Sequence, residues 1–295
     1  MTARLLWLSA LVLASASGAA CSVDLEADIA SATGRFERRL TAADGTVDLD
    51  VTTGSGSVDI RRGNGRDVTV VGVVRAHRGF WNGGSSAEER VRRIEANPPV
   101  SQAGNSVRIG YFDDASLPRN VSISYEITVP ADTTVRSRTG SGSQRIDSLN
   151  GRVDVETGSG GIRVGRAGGA VAASTGSGSI EVLGAGGLTA RTGSGSIEAS
   201  DIVGPVRAQT GSGGVTIGGT PTGDWTVRTG SGSIGLRLPA DAGFDVDART
   251  GSGGISANHP IELRGAVSRN HLQGRVRGGG PRIEASAGSG SIRLD

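Results

Sequence analysis

Apolar and polar residues alternate along most of this chain. Ile197 and Ala199 share one face with Glu198 opposite; Val206, Ala208 and Thr210 share a face with Arg207 and Gln209 opposite. A period of two is the strand period. The same pairing recurs at Ile180/Val182 then Leu188/Ala190, at Val215/Ile217 then Trp225/Val227, and at Ile234/Leu236 then Phe244/Val246/Ala248. The pattern predicts units of two short strands separated by two turns.

The turns carry a repeat. Thr-Gly-Ser-Gly begins at Thr53, Thr139, Thr157, Thr175, Thr192, Thr210, Thr229 and Thr250, and Ala287-Gly288-Ser289-Gly290 is a ninth copy. From Thr139 the spacings are 18, 18, 17, 18, 19 and 21 residues, then 37. A two-strand unit cannot bury its apolar face alone, but stacked units build a continuous core. The expectation is an all-β, single-domain β-solenoid (β-helix), with each coil's corner at Gly-Ser-Gly. Glycine suits a corner needing positive φ or close packing between rungs. The Ser and Thr there should form ladders that share hydrogen bonds between coils. The 37-residue gap suggests a degenerate coil near Val267 to Val276, with the ninth copy closing the array. Gln144 stands where other coils have Ile or Val, which suits a polar edge near the start of the array.

The first part of the chain is less regular. Phe36 to Leu40, Val47 to Val51 and Val58 to Ile60 alternate around the Thr53 copy, so the solenoid starts here. Ala87 to Ala96 has a helical pattern, ended by Asn97-Pro98-Pro99; Ser86 with Glu89 has capping-box spacing. Strands are expected at Ser106 to Phe112 and Val121 to Val129. The organisation read from this is a leader at 1–20, a linker at 21–34 and the solenoid at 35–295. An insertion at 76–120 holds the short helix and caps the exposed first rung.

The leader reading rests on Arg4, the apolar run Leu5 to Ala14, and the small residues Ser15 to Ala20. The run is too short to span a bilayer. Cys21, the only cysteine, follows at once. Gly18-Ala19-Ala20-Cys21 resembles a bacterial lipobox, with Gly18 in place of the usual aliphatic residue. Lipidation of Cys21 is the reading taken, ordinary cleavage the alternative. Either places the protein outside the cytoplasm, in the cell envelope, periplasmic or secreted if not anchored.

Composition changes the picture little. Apolar residues are 36%, aromatics 3%, and formal net charge is +2. A narrow strand-lined core needs Val, Ile, Ala and Thr and few aromatics. Arginines alternate with acids and form no basic stripe, which excludes nucleic acid as a partner.

No catalytic, cofactor or metal set emerges. Gly230 to Gly235 fits Gly-x-Gly-x-x-Gly, but follows no βαβ pattern and opens no helix. His77, His259 and His271 lack metal-ligand spacing. The outward positions Arg163, Glu181, Glu198, Thr216 and Gly235 mix charges and build no acidic cluster. The aromatics Phe80, Trp81, Tyr111 and Phe112 form the one candidate binding patch, toward a sugar or a partner protein, or else pack the helix onto the solenoid.

The recurrent Gly-Ser-Gly-Ser-Ile steps, the strand ends Val129-Pro130-Ala131-Asp132 and Leu238-Pro239-Ala240-Asp241, the short helix, and Gly278-Gly279-Gly280 before Gly288-Ser289-Gly290-Ser291-Ile292 together carry a resemblance. From Phe36 to Asp295 the chain resembles the bacterial family named "putative adhesin", a β-strand-repeat domain of unknown function. The resemblance implies a β-solenoid at the cell envelope and carries over no catalytic residues. The function expected is a non-catalytic envelope adhesin or scaffold whose partner is an envelope protein or glycan. A polysaccharide-acting β-helix enzyme and an envelope-stress or sensory interaction module are the alternatives.

Overall fold

The computed structural model describes residues 31–77, 86–114, 117–263 and 268–295. The leader, Cys21, Phe80, Trp81 and Val267 lie outside the described residues. The chain is an all-β solenoid of two sheets, with 12 and 13 strands among the described residues.

The first part comprises β1 (Ser31–Thr41), β2 (Val47–Ser55), β3 (Val58–Arg62), β4 (Asp67–His77), α1 (Ala87–Ala96), β5 (Val100–Ala103), β6 (Ser106–Ile109) and β7 (Val121–Val129). The regular array follows with β8 (Thr133–Ser141), β9 (Gln144–Ile146), β10 (Val153–Ser159), β11 (Ile162–Arg166), β12 (Val171–Ser177) and β13 (Ile180–Gly184). It continues with β14 (Leu188–Ser194), β15 (Ile197–Val203), β16 (Val206–Ser212), β17 (Val215–Thr220), β18 (Trp225–Ser231) and β19 (Ile234–Arg237). The last part comprises β20 (Phe244–Ser252), β21 (Ile255–Ala257), β22 (Ile261–Leu263), β23 (His271–Val276), β24 (Arg282–Ser289) and β25 (Ile292–Leu294).

Each coil gives one strand to each sheet, and equivalent residues stack in parallel register. Thr139, Thr157 and Thr175 align across β8, β10 and β12. Inward Val, Ile, Leu and Ala are buried along the whole stack. Each large one contributes about 1.5–3 kcal/mol. Trp225 is the largest fully buried side chain, and its indole N–H donates to the Gly204 carbonyl at 2.8 Å.

The corner explains the tetrapeptide. Gly213 has φ +144°, and a Cβ there would lie 2.1 Å from the Gly195 carbonyl oxygen of the coil before. Any side chain would strike backbone. Thr210 Oγ1 donates to that same Gly195 oxygen at 2.9 Å, as Thr192 does to Gly178 at 2.9 Å and Thr175 to Gly160 at 3.0 Å. The expected ladder is thus a chain of Thr hydroxyls bonded to Gly carbonyls one coil back.

Gln144 is not at an edge. It is 1% exposed, between β3 and β11. Its carboxamide accepts from Ser137 Oγ at 2.5 Å and donates to the Glu156 carbonyl at 2.6 Å. Ser137 replaces an apolar residue on the facing sheet, so the core carries a self-satisfied polar pair.

The chain leaves the array after β3 and rejoins it at β8, yet β2 stacks directly on β8 with Thr53 opposite Thr139. The excursion caps the outer side of the first coil. β7 lies parallel to β3, β4 antiparallel to β7 and β1 antiparallel to β4, while β6 and β5 extend the other sheet. β4 and β7 belong to this cap, so the interruption is wider than 76–120. β1 begins at Ser31, within the stretch read as linker. α1 packs on β1, where a Cβ on Gly34 would lie 2.3 Å from Val91. Ser86 Oγ caps the helix by accepting from Glu89 N–H at 3.1 Å.

The other end departs further from sequence order. β24 lies between β18 and β20, and β25 between β19 and β21. The ninth coil therefore sits inside the stack, between the Thr229 and Thr250 coils, and does not close the array. Accordingly Thr250 Oγ1 donates to Gly290 at 2.7 Å. The 21-residue spacing from Thr229 to Thr250 has its reason here: this connection must climb two rungs, about 10 Å, where the others climb one. No degenerate coil forms across His271 to Val276. β23 runs antiparallel to the outer edge of β20, and β22 runs antiparallel to β23. Arg277, Gly278 and Gly279, with φ +48°, +82° and +89°, carry the chain over the start of β20 to its inner edge.

Candidate functional site

The Thr–Gly ladder has an open first rung. Mid-array, a Cβ on the first glycine of the motif would strike the preceding coil, as Gly158 would strike the Gly140 oxygen at 2.5 Å. At Gly54 no described residue lies within 4 Å of that position. The cap supplies strands above the first coil, β6 on β2 and β7 on β3, but no Gly-Ser-Gly corner joins them. Thr53 Oγ1 instead donates to the Ile123 carbonyl at 3.0 Å.

A cleft of about 320 Å³ occupies this place. Thr52, Thr53 and Gly54 form its floor, and Tyr111, Phe112, Pro118 and Val121 rim it, with Tyr125 behind. Gly110 brings the rim close: its φ is +85°, and a Cβ would lie 1.7 Å from the Thr52 oxygen. Tyr111 is 40% exposed and carries the Arg108 guanidinium 4.2 Å above its ring centre. Phe112 is half-buried. Tyr125 is 1% exposed, packed edge-on against Phe36, and its hydroxyl has no hydrogen-bond partner among the described residues. Burial pushes that phenol well above the usual tyrosine range, so it stays a neutral donor at physiological pH.

Two of the four expected patch residues, Tyr111 and Phe112, therefore meet at one cleft; Phe80 and Trp81 lie outside the described residues. The sequence reading missed Tyr125 and Gly54. Tyr125 was visible only as an inward position of an alternating strand, and Gly54 only as one motif glycine among many. The cleft can hold a flat apolar group against the Tyr111 and Phe112 rings, with the Tyr125 hydroxyl buried behind it.

Elsewhere the outer faces carry paired charges. Arg163 meets Glu181 at 2.6 Å, Arg166 meets Asp201 at 2.6 Å, and Arg138 meets Glu156 at 3.5 Å. Such exposed pairs contribute about 0–1 kcal/mol each. Gly230 and Gly232 lie at the corner between β18 and β19, as for any coil. The histidines are scattered: the His77 carbonyl accepts from Arg90, His259 packs edge-on against Phe244, and His271 lies 3.3 Å from Asp247. Among the described residues no group of three or more His, Cys, Asp or Glu is placed to hold a metal ion, and no helix is long and apolar enough to cross a membrane.

The sequence matches no protein-family profile and no curated protein. Among solved structures it is similar to a putative cell adhesion protein from Clostridium sporogenes ATCC 15579, with 13% identity, 89% of this chain and 99% of that chain covered, and a TM-score of 0.29. It is also similar to a putative adhesin from Bacteroides fragilis NCTC 9343, with 15% identity, 89% and 97% coverage, and a TM-score of 0.43.

Proposed function

We propose that this chain is a non-catalytic surface scaffold of the adhesin type: a rigid rod, lipid-anchored at Cys21, that holds an envelope protein or a glycan at the open corner rung. The observation that carries the reading is the cleft itself. It joins exposed Tyr111, half-buried Phe112 and a buried Tyr125 hydroxyl, without a hydrogen-bond partner among the described residues, at the first rung of the ladder. The apolar face of a sugar ring, or an aromatic or proline side chain, fits such walls. The paired charges along the rod support a structural use of its faces. Anchoring rests on the leader pattern and on Cys21.

The test is a binding screen of the Cys21→Ser chain against a glycan array and detergent-solubilised envelope proteins. The reading predicts a ligand whose binding falls at least tenfold in Tyr111→Ala and in Phe112→Ala, with melting temperature held. Binding indifferent to both substitutions refutes the cleft. For anchoring, Cys21→Ser should release the protein from membranes; continued attachment refutes lipidation.

A further inference from the structure

The ninth coil occupies a slot that the rest of the chain holds open. The Thr229 and Thr250 coils are consecutive in sequence, but their 21-residue spacing sets them two rungs apart. Only a two-strand coil satisfies both walls of that gap, through β18 and β19 on one side and β20 and β21 on the other. Ile283, Ala285, Ile292 and Leu294 fill its interior at 0–2% exposure. Charges are complementary across both walls: Glu284 faces Arg228 at 3.9 Å, and Arg282 faces Asp247 at 3.5 Å.

The coil enters from one corner. Five residues, Arg277 to Pro281, join it to β23 and cross beside Gly243, where a Cβ on Gly280 would lie 2.4 Å from the Gly243 oxygen. Extended, that link reaches about 20 Å. A second copy lying against this corner would present the same slot within reach, with the same two walls and the same charges.

We propose that the slot between the Thr229 and Thr250 coils accepts the ninth coil of a second copy, so that two rods join by reciprocal exchange of residues 282–294. No new contact is needed; every hydrogen bond made within one chain is remade between two. The glycine-rich crossing is the hinge, and it gives up its left-handed turn on exchange.

Paired cysteines read this out. Arg228 and Ser286 are exposed neighbours across β18 and β24. In a Cys21→Ser background, one chain carries Arg228→Cys and a differently tagged chain carries Ser286→Cys. The two thiols are held next to each other when the coil of one chain lies in the slot of the other, and otherwise meet only by chance collision. After co-expression and mild oxidation, exchange predicts an interchain disulfide roughly tenfold above a control pairing Thr189→Cys with Ser286→Cys. A yield no greater than the control overturns the proposal. A measurement free of substitution at the slot guards against misfolding. The Cys21→Ser chain, refolded at high concentration, should show a dimer by light scattering that persists for hours after dilution. Monomer at every concentration overturns the exchange.

Discussion

The two ends of the corner ladder break it in opposite ways. At the Thr53 end the rung above lacks a Gly-Ser-Gly corner, no described residue lies within 4 Å of a Cβ on Gly54, and aromatic residues of the cap gather round that space. At the Thr250 end an extra rung has been inserted, and the ninth coil fills the gap completely. Between them, from Thr139 to Thr229, order in space follows order in sequence. The contrast separates two uses of one motif. A filled rung makes structure; an open rung leaves a cleft.

The largest effect should separate a filled rung from the open one. Gly211→Ala, at the motif position equivalent to Gly54, puts a Cβ 2.6 Å from the Gly193 carbonyl oxygen. It should cost about 4 kcal/mol in urea unfolding, while Gly54→Ala stays within about 0.5 kcal/mol. Equal costs would remove the distinction between a filled and an open rung.

Truncating the inserted rung comes next. Ile283→Ala should cost about 2–4 kcal/mol. Because repeat arrays couple mainly to nearest neighbours, the loss should speed hydrogen exchange in β20, β21 and β24 and leave β10 to β14 unchanged. A uniform change along the rod would mean that the insertion is not a separate unit.

Within the regular array, Gln144→Ala should cost about 1–3 kcal/mol by stranding Ser137. Ser137→Val combined with Gln144→Ile, which copies the aligned Val155 and Ile162, should be close to neutral. The pair would then be a replaceable choice and not a requirement of the coil.

Tyr125→Phe should gain about 1 kcal/mol at neutral pH, because it removes a buried hydroxyl with no partner. The pH dependence follows from the raised phenol. Above the ordinary tyrosine value near 10, the unfolded chain loses this proton and the folded chain keeps it, so stability falls as pH rises. Below that value the residue adds no pH dependence. The variant should show a shallower alkaline decline; an unchanged one would mean that the hydroxyl is solvated.

The smallest effect tests the inserted rung's own corner. Ala287 stands where the aligned Thr229 and Thr250 carry hydroxyls. Ala287→Thr should gain about 0.5–1 kcal/mol through a bond to the Gly232 carbonyl. No gain would mean that this rung is spaced unlike the others.

Much of this was legible in the residues. Period-two alternation and the spacing of Thr-Gly-Ser-Gly specify a coil, its corner and its core, because each coil makes the same local contacts. α1 was equally clear, since Ser86, Glu89 and Asn97 mark its ends locally. Spatial order was not legible at the ends. Ala287-Gly288-Ser289-Gly290 stacks equally well beside any coil, so periodicity cannot say which pair it separates. The 21-residue spacing held the clue, but only geometry turns three extra residues into an extra rung. Gln144 misled because its partner, Ser137, is seven residues away on the facing sheet. Tyr111 and Phe112 stood out by rarity, whereas Tyr125 looked like any inward residue.

The measurement that bears most directly on the open rung is a titration of Gly54→Leu. The space above Gly54 admits a side chain without touching backbone, so the variant should fold and melt like the parent chain. It should also fill the cleft. With whichever ligand the glycan and envelope screen returns, the account predicts at least tenfold weaker binding at unchanged melting temperature. Undiminished binding by a folded Gly54→Leu chain would contradict it.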